Sequence, residues 1–228
     1  MPRDDATALP SDPDHAGNGE GMRVMVLGAA GQLGREVVRA LLPRGHTVAA
    51  LVRRSPNPAL PAPVEMCEVD VRDEAGVRNA LQAHDVVVNA IGAGTLFRND
   101  VESSTTAVAV AAAQDVGVDR YIAMSAGMVA IDWPFFKYVL KPLVFRNILA
   151  EHLRVEEIVR ASSLAWTIVR PPKLTNGSPR GYVATVEPLP RTFSVARSDV
   201  AAFIADEIDT KAHLRHAVFL ASRTDQIR

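Results

Sequence analysis

Three glycines at positions 28, 31 and 34 form a Gly-x-x-Gly-x-x-Gly motif directly after the apolar run 23–27. An apolar β-branched run, closed by glycines and followed by a helical pattern, predicts a strand, a tight turn and a helix N-terminus. The first glycine permits the turn, the second lets the backbone approach a pyrophosphate, and the third allows close helix packing. The sequence therefore predicts a dinucleotide site, with cofactor contacts at Gly28, Ala30, Gly31, Gln32, Leu33 and Gly34.

Two arginines, Arg53 and Arg54, follow the next apolar run at 47–52. A site selective for NAD usually carries Asp or Glu at the end of this strand, where the carboxylate accepts hydrogen bonds from the ribose 2′-hydroxyl. Guanidinium groups instead bind a 2′-phosphate through charge-assisted hydrogen bonds. The pair predicts NADP as the cofactor, with NADPH preferred over NADH. The alternative is a solvated basic loop.

The composition indicates which classes of protein this chain can belong to. With 228 residues, 48% of them apolar, the chain can bury a full core as one domain. The 25 Lys and Arg nearly balance the 26 Asp and Glu, so no basic excess points to nucleic acid. The single cysteine, Cys67, excludes an intrachain disulfide and fits a core thiol in a reducing cytoplasm. No cluster of residues has metal-ligand spacing, and we expect no metal.

The first 21 residues are rich in Pro, Asp and Gly and predict a disordered tail without the features of a signal peptide. The most apolar long window, 121–145, is interrupted by charged residues and prolines, so we expect no membrane span. We expect a cytoplasmic protein, monomeric or homodimeric.

Beyond the glycine motif, strand and helix patterns alternate, which predicts an α/β fold of the Rossmann type with a doubly wound parallel sheet. Residues 22–228 form one domain, with a small C-terminal substrate lobe largely from 126–145 and 171–198. We predict strands at 23–27, 47–52, 64–69, 85–89, 120–124, 165–169 and 217–220. We predict helices at 32–42, 74–82, 102–116, 135–161 with a break at Pro142, and 199–208 with Ser198 as its cap.

The order of these motifs resembles the atypical short-chain dehydrogenase/reductases. It is most similar to their NAD(P)H-binding, NmrA-like group, which includes flavin reductase/biliverdin-IXβ reductase. The residues that carry the resemblance are the three glycines, Arg53-Arg54, Asp70-Val71, Asn89-Ala90-Ile91-Gly92, Ser125, Arg170-Pro171-Pro172 and the segment 194–201. The resemblance covers essentially residues 22–222.

The resemblance also implies roles for individual residues. Asp70 and Val71 would flank the adenine, and Ala90, Ile91 and Gly92 would line the cofactor near its ribose and nicotinamide. Ser125 would lie beside the reacting carbon. The residues bordering the nicotinamide carboxamide and the substrate mouth would be Pro171, Pro172 and Lys173. Two alternatives remain open: Asp70 caps the following helix, and the prolines only end their strand.

The proton-donating pair of the superfamily is altered in this chain. Ordinary members use Tyr-x-x-x-Lys on the helix after the serine-bearing strand, where the lysine lowers the pKa of the tyrosine. Here Tyr138 is followed four residues later by Pro142, where the motif has its lysine, and the lysine nearest to that position is Lys141, one residue early. Tyr138 and Lys141 could still share a helix face as a displaced acid–base pair.

A missing acid–base pair fits an acceptor that stabilises its own charge, and the sequence places aromatic residues, Trp133 and Phe136 among them, close after Ser125. These side chains either stack on a planar acceptor or pack as core. We therefore predict an NADPH-dependent reductase of an extended aromatic or quinonoid acceptor such as a flavin or quinone. The alternatives are carbonyl reduction or isomerisation through Tyr138 and Lys141, a non-catalytic NADP-binding sensor that regulates a protein partner, and an assembly subunit that uses only the fold.

Overall fold

The computed structural model describes residues 21–53, 60–61, 63–92, 101–130, 146–189 and 194–226. Its strands are β1 (Arg23–Leu27), β2 (Thr47–Val52), β3 (Glu65–Glu68), β4 (Val86–Asn89), β5 (Arg120–Met124), β6 (Ala165–Arg170), β7 (Lys173–Thr175), β8 (Tyr182–Thr185), β9 (Ser194–Ala196) and β10 (His216–Ser222). Its α-helices are α1 (Gln32–Leu41), α2 (Glu74–Leu81), α3 (Val101–Val116), α4 (Arg146–Ala161) and α5 (Arg197–Thr210). Short 3-10 turns lie at Leu42–Arg44, Gly127–Ala130 and Arg223–Gln226.

Eight of these strands form one sheet in the order β3-β2-β1-β4-β5-β6-β10-β8. All neighbours are parallel except β10 and β8, which pair antiparallel. A second sheet consists of the parallel pair β7 and β9. The fold is a doubly wound, Rossmann-type α/β fold, as the alternating sequence pattern predicts.

Side chains that alternate along the strands build a core on each face of the large sheet. Val24 and Val26 on β1 pack with α1 and α5, whereas Met25 and Leu27 point to the opposite face, toward α2, α3 and α4. All four side chains are fully buried. A central parallel strand covered on both faces has to be apolar at every position, which explains the unbroken apolar run.

The sequence analysis did not predict β7, β8 and β9, because it treated the region between β6 and α5 as irregular. β7 and β9 have three residues each and β8 has four, too few to show a period in the sequence. The cap of α5 is also corrected. The N-cap is Ala196, and Ser198 lies in the first turn of the helix.

Other boundaries agree with prediction within a few residues, and the predicted helix segment 135–145 lies outside the described residues. Cys67 is only half-buried, because β3 is the edge strand of the sheet. None of the described helices is long and apolar enough to cross a membrane.

Candidate functional site

The candidate site lies at the point where the strand order changes direction, between β1 and β4. β1 pairs with β2 on one side and with β4 on the other, so the helices after β1 and β4 cover opposite faces of the sheet. Ligands of open α/β sheets bind beyond the carboxyl ends of the strands at such a point. Here the two strand ends meet directly, since the Ala90 amide donates to the Leu27 carbonyl at 3.0 Å.

The glycine turn leaves no room for side chains. Gly28 has φ +74°, and a Cβ there would lie 3.0 Å from the Ile91 amide nitrogen. Gly31 donates its amide proton to the Gly28 carbonyl at 2.9 Å. A Cβ on Gly34 would lie 2.2 Å from the Gly28 oxygen and 2.6 Å from the Ala29 Cα. The third glycine is therefore required because α1 begins against the turn itself.

Among the described residues, no side chain caps the N-terminus of α1. Gly31 is the N-cap and makes no side-chain cap, and no acidic residue lies in the first turn. Free amide groups and the positive end of the helix dipole attract an anion. Of the predicted contacts, Gln32 is exposed, whereas the Leu33 side chain is buried in the core and only its backbone can face a ligand. Turn and helix together fit the pyrophosphate of a dinucleotide.

The predicted adenine side is formed by the ends of β2 and β3. Arg53 follows β2 with an exposed side chain, and Arg54 lies outside the described residues. The cap of α2 is Asp73, whose carboxylate accepts the Gly76 amide at 3.1 Å. The alternative that Asp70 caps this helix is therefore wrong. Asp70 is exposed, and its carboxylate accepts the Arg72 amide, while Val71 beside it is half-buried.

A buried asparagine organises the predicted ribose and nicotinamide loop, which comprises Ala90, Ile91 and Gly92. The Asn89 carboxamide oxygen accepts the Ile91 amide, and its nitrogen donates to Thr106 Oγ1 and Tyr121 Oη, both at 3.0 Å. Tyr121 is fully buried, and burial raises the pKa of its phenol. Tyr121 therefore stays protonated in the core and has a structural role.

Ser125, the residue directly after β5, lies in a buried charged network. Its Oγ donates to Glu156 Oε1 on α4 at 2.8 Å. Arg170, the last residue of β6, donates from Nε to the same oxygen at 2.8 Å and from Nη2 to Oε2 at 2.6 Å. This bidentate pair holds the carboxylate in one orientation, and Arg160 lies 3.4 Å from Oε2 on the outer side.

The charge of Glu156 follows from these contacts. Burial alone would raise the pKa of its carboxyl, but hydrogen bonds from Arg170 and Ser125 and the charges of Arg170 and Arg160 lower that pKa below its usual value. Glu156 is therefore an ionised acceptor, and the Ser125 proton is directed to it. Sequence reasoning gave neither Glu156 nor Arg170 a role, because nothing local marks a helical glutamate that reaches a strand end.

The ends of β5 and β6 are joined through the backbone. The Ser125 amide donates to the Val169 carbonyl, and the Gly127 amide to the Pro171 carbonyl, both at 2.8 Å. Pro171 is buried and Pro172 half-buried, while Lys173 is exposed at the start of β7. The structure thus brings the predicted serine beside the predicted proline pair.

The remaining predicted residues, Trp133, Phe136, Tyr138 and Lys141, lie outside the described residues. The next α-helix among the described residues is α4, and its sequence RNILAEHLRVEEIVRA contains no tyrosine and no lysine. The role of Tyr138 and Lys141 as an acid–base pair stays a prediction.

Comparisons with known proteins agree with the Rossmann-type fold. The chain is 29% identical over 199 residues to the uncharacterized sugar epimerase YhfK of Bacillus subtilis, covering 83% of this chain and 89% of the relative. It is 30% identical over 215 residues to the chloroplastic divinyl chlorophyllide a 8-vinyl-reductase of Oryza sativa subsp. indica, covering 80% of this chain and 50% of that longer protein. The solved structure of ChuY, an anaerobillin reductase from Escherichia coli O157:H7, superposes with a TM-score of 0.74 at 21% identity. That match covers 88% of this chain and 97% of ChuY and shows the fold alone.

A family model described as NAD(P)H-binding matches residues 28–211, which begin at the first glycine of the turn and end just after α5. This stretch includes the glycine turn, the loop after β4 and the network around Ser125. The chain therefore belongs to the NAD(P)H-binding family of Rossmann-fold proteins.

Proposed function

We propose that this protein is an NADPH-dependent reductase that transfers hydride to an extended aromatic or quinonoid acceptor. NADPH, when bound, supplies the hydride. The observation that carries the proposal is that neither buried hydroxyl of the described site, Ser125 or Tyr121, has a proton to offer an acceptor. The Ser125 hydroxyl donates to ionised Glu156, and Tyr121 is sealed in the core with a raised pKa.

A flavin, a quinone or a conjugated tetrapyrrole suits such a site, because its delocalised ring system stabilises the charge that hydride creates. Solvent can then supply the proton. The work left to the protein is to hold the cofactor and the acceptor against each other. The glycine turn and the N-terminus of α1 would bind the pyrophosphate, and the Ser125, Glu156 and Arg170 network fixes the ends of β5 and β6 at the predicted nicotinamide site.

The names of two similar proteins support an acceptor of this class. One relative is named as a reductase of a divinyl chlorophyllide, and one structural neighbour as an anaerobillin reductase. Reductases therefore occur among the proteins similar to this chain, and the identity of the acceptor for this chain belongs to the proposal.

The direct test is NADPH oxidation with a panel of acceptors: a flavin, a quinone, a conjugated tetrapyrrole, an aldehyde and a ketone. We expect turnover with at least one of the first three and little with the carbonyl compounds. Turnover confined to the aldehyde or ketone, and lost by a thousandfold or more in Tyr138→Phe, would overturn the proposal in favour of acid-assisted carbonyl chemistry. NADP binding without turnover on the whole panel would favour a sensor.

The preference for NADPH rests on Arg53 and Arg54, which follow β2 in the sequence. Replacing both with alanine should weaken NADPH binding tenfold or more and NADH binding far less, because charge-assisted hydrogen bonds contribute roughly 1.5–3 kcal/mol each. Isothermal titration calorimetry measures both affinities. Arg78→Ala is the matched control, because Arg78 is half-exposed on α2 and pairs with Asp115. Equal affinity of the unmodified protein for NADH and NADPH would contradict the preference.

A further inference from the structure

A cleft of about 640 Å³ lies between α1 and the segment that joins β7 to α5. One wall is the exposed side of α1 from Gln32 to Arg39, the opposite wall begins at Thr175, and the start of α5 closes one end. The predicted cofactor contacts account only for Gln32, at its edge. The rest of the cleft has no assigned ligand.

The lining of this cleft carries excess positive charge. Arg39 pairs with Glu36 at 2.6 Å, which neutralises one of its three arginines. Arg35 donates to the Ala30 carbonyl at 3.2 Å and Arg197 to the Asn176 side chain at 2.7 Å. Neither guanidinium has a carboxylate partner within the described part of the chain, so two cations face the cleft without a counter-charge.

A second observation at the same place points to a ligand. Ser198 lines the cleft, and its Oγ is buried without a hydrogen-bond partner among the described residues. A buried hydroxyl left without a partner costs free energy comparable to a lost hydrogen bond. The Oγ has no accessible surface in this structure, so a ligand oxygen in the cleft would accept its proton once the Ser198 side chain turns about χ1.

The N-terminus of α5 adds to this attraction. The N-cap, Ala196, has no capping side chain, and the helix that follows has 14 residues. Asp199 in its first turn is already committed, because its carboxylate accepts the Arg180 and Gly181 amides at 3.0–3.2 Å. The N-terminus of α5, which has no side-chain cap, thus borders an arginine-lined cleft, while the N-terminus of α1 is left to the pyrophosphate.

We propose that this cleft binds an anionic substituent, phosphate or carboxylate, of the hydride acceptor; this inference rests on the proposed function. The cleft starts beside the glycine turn at Gln32, and Thr175 on its far wall ends the strand that follows the predicted substrate mouth at Pro172 and Lys173. An acceptor at that mouth can therefore extend a charged arm to Arg35, Arg197 and the Ser198 hydroxyl. Neutral acceptors of the same ring system lack that anchor.

Riboflavin and FMN test the inference, because they share one ring system and differ in a single phosphate. Binding is followed by flavin fluorescence with the dinucleotide site saturated by NADP⁺, so that the phosphate cannot occupy the glycine turn. We expect FMN to bind at least about tenfold more tightly than riboflavin, as charge-assisted hydrogen bonds imply. The double variant Arg35→Gln/Arg197→Gln should remove most of this preference, and Ser198→Ala should reduce it by a few-fold.

Arg78→Gln is the control, since it removes one arginine charge from α2, outside the cleft lining, and should keep the preference for FMN. Equal affinity for FMN and riboflavin would overturn the inference, as would a preference that survives in the double variant. If inorganic phosphate alone binds the cleft while the two flavins bind equally, the site takes a free anion and its assignment to the acceptor is wrong. The measurement needs no turnover, so a protein that is inactive on every acceptor would refute the proposed function separately.

Discussion

Two buried arginine–glutamate pairs join the central strands to helices at opposite edges of the sheet. At the amino edge, Arg120 on β5 donates to Glu207 on α5 at 2.8 Å. At the carboxyl edge, Arg170 on β6 holds Glu156 on α4 through two hydrogen bonds. The two helices cover opposite faces, so each pair fastens a different layer to the same pair of neighbouring strands.

The pairs differ in what surrounds them. The Arg120 and Glu207 side chains are 3% and 1% exposed, and the pair is completed by Thr167 and by His213, whose Nδ1 lies 2.7 Å from the carboxylate. The Arg170 side chain is 16% exposed. Its partner carboxylate also accepts a hydrogen bond from the Ser125 hydroxyl, beside the predicted nicotinamide site. The Arg120–Glu207 pair therefore stabilises the protein interior at the amino edge, and we call it the internal lock. The Arg170–Glu156 pair borders a candidate site at the carboxyl edge.

The largest expected effect comes from breaking the internal lock. Glu207→Ala leaves the Arg120 guanidinium buried without its charge partner and should cost about 3–5 kcal/mol of unfolding free energy. Urea denaturation measures it, and NADPH affinity of the folded fraction should be unchanged. A loss of unfolding free energy below about 1 kcal/mol would mean that water screens this ion pair and that it stabilises the fold no more than a surface pair does. Glu207→Gln, which keeps an oxygen toward Arg120, is the milder control.

Breaking the other pair should cost less stability and more function. Glu156→Ala should lower the unfolding free energy by about 1–3 kcal/mol, because the partly exposed Arg170 can turn toward water. It should also lower kcat by roughly ten- to a hundredfold, since a shift of about 1 Å in the groups that position a substrate has effects of this size. NADPH oxidation beside a denaturation curve separates the two. An unchanged kcat in the variant would mean that the Arg170–Glu156 pair only stabilises the fold, as the Arg120–Glu207 pair does.

The pH dependence of stability sharpens the comparison. The folded state lowers the pKa of Glu156, so its contribution is complete above the unfolded glutamate value of about 4.3 and is lost as the pH falls through the folded value. The difference in unfolding free energy between wild type and Glu156→Gln should therefore be constant above about pH 5 and shrink below about pH 4. Denaturation curves at several pH values measure it. A difference that grows on acidification would contradict the ionised state assigned to Glu156.

The sequence predicts the glycine turn and the parallel strands well, because both signals are local. The turn requires glycine within seven residues, and buried parallel strands have to be continuously apolar. The Arg170–Glu156 pair could not be predicted, because its partners are 14 residues apart on a strand and a helix whose packing decides the contact. The cleft beside α5 was missed for the same reason, since α1 and α5 are neighbours only in the folded chain.

The capping of α5 shows how a local signal can mislead. A serine before a helical pattern is a favoured N-cap, and Ser198 fits that rule. In the structure the helix begins one residue earlier than this serine and includes it, because β9 runs to Ala196 directly before the first turn. The hydroxyl that would have capped the helix is instead left buried without a partner among the described residues.

The smallest expected effect is that of Ser125→Ala. The Ser125 hydroxyl is 2.8 Å from ionised Glu156, and its single proton is used there, so the acceptor can receive no proton from it directly. Glu156 keeps its bidentate partner Arg170 in the variant, and we expect kcat to fall by less than tenfold with an unchanged pH profile. Ser162→Ala is the matched control, because that serine is also buried but donates to the Val159 carbonyl. A loss of a hundredfold or more, near the contribution of a positioned proton donor, would mean that Ser125 passes its proton to the acceptor. Glu156 would then act as the group that orients a true acid, and the carboxyl edge would differ from the amino edge in chemistry as well as in exposure.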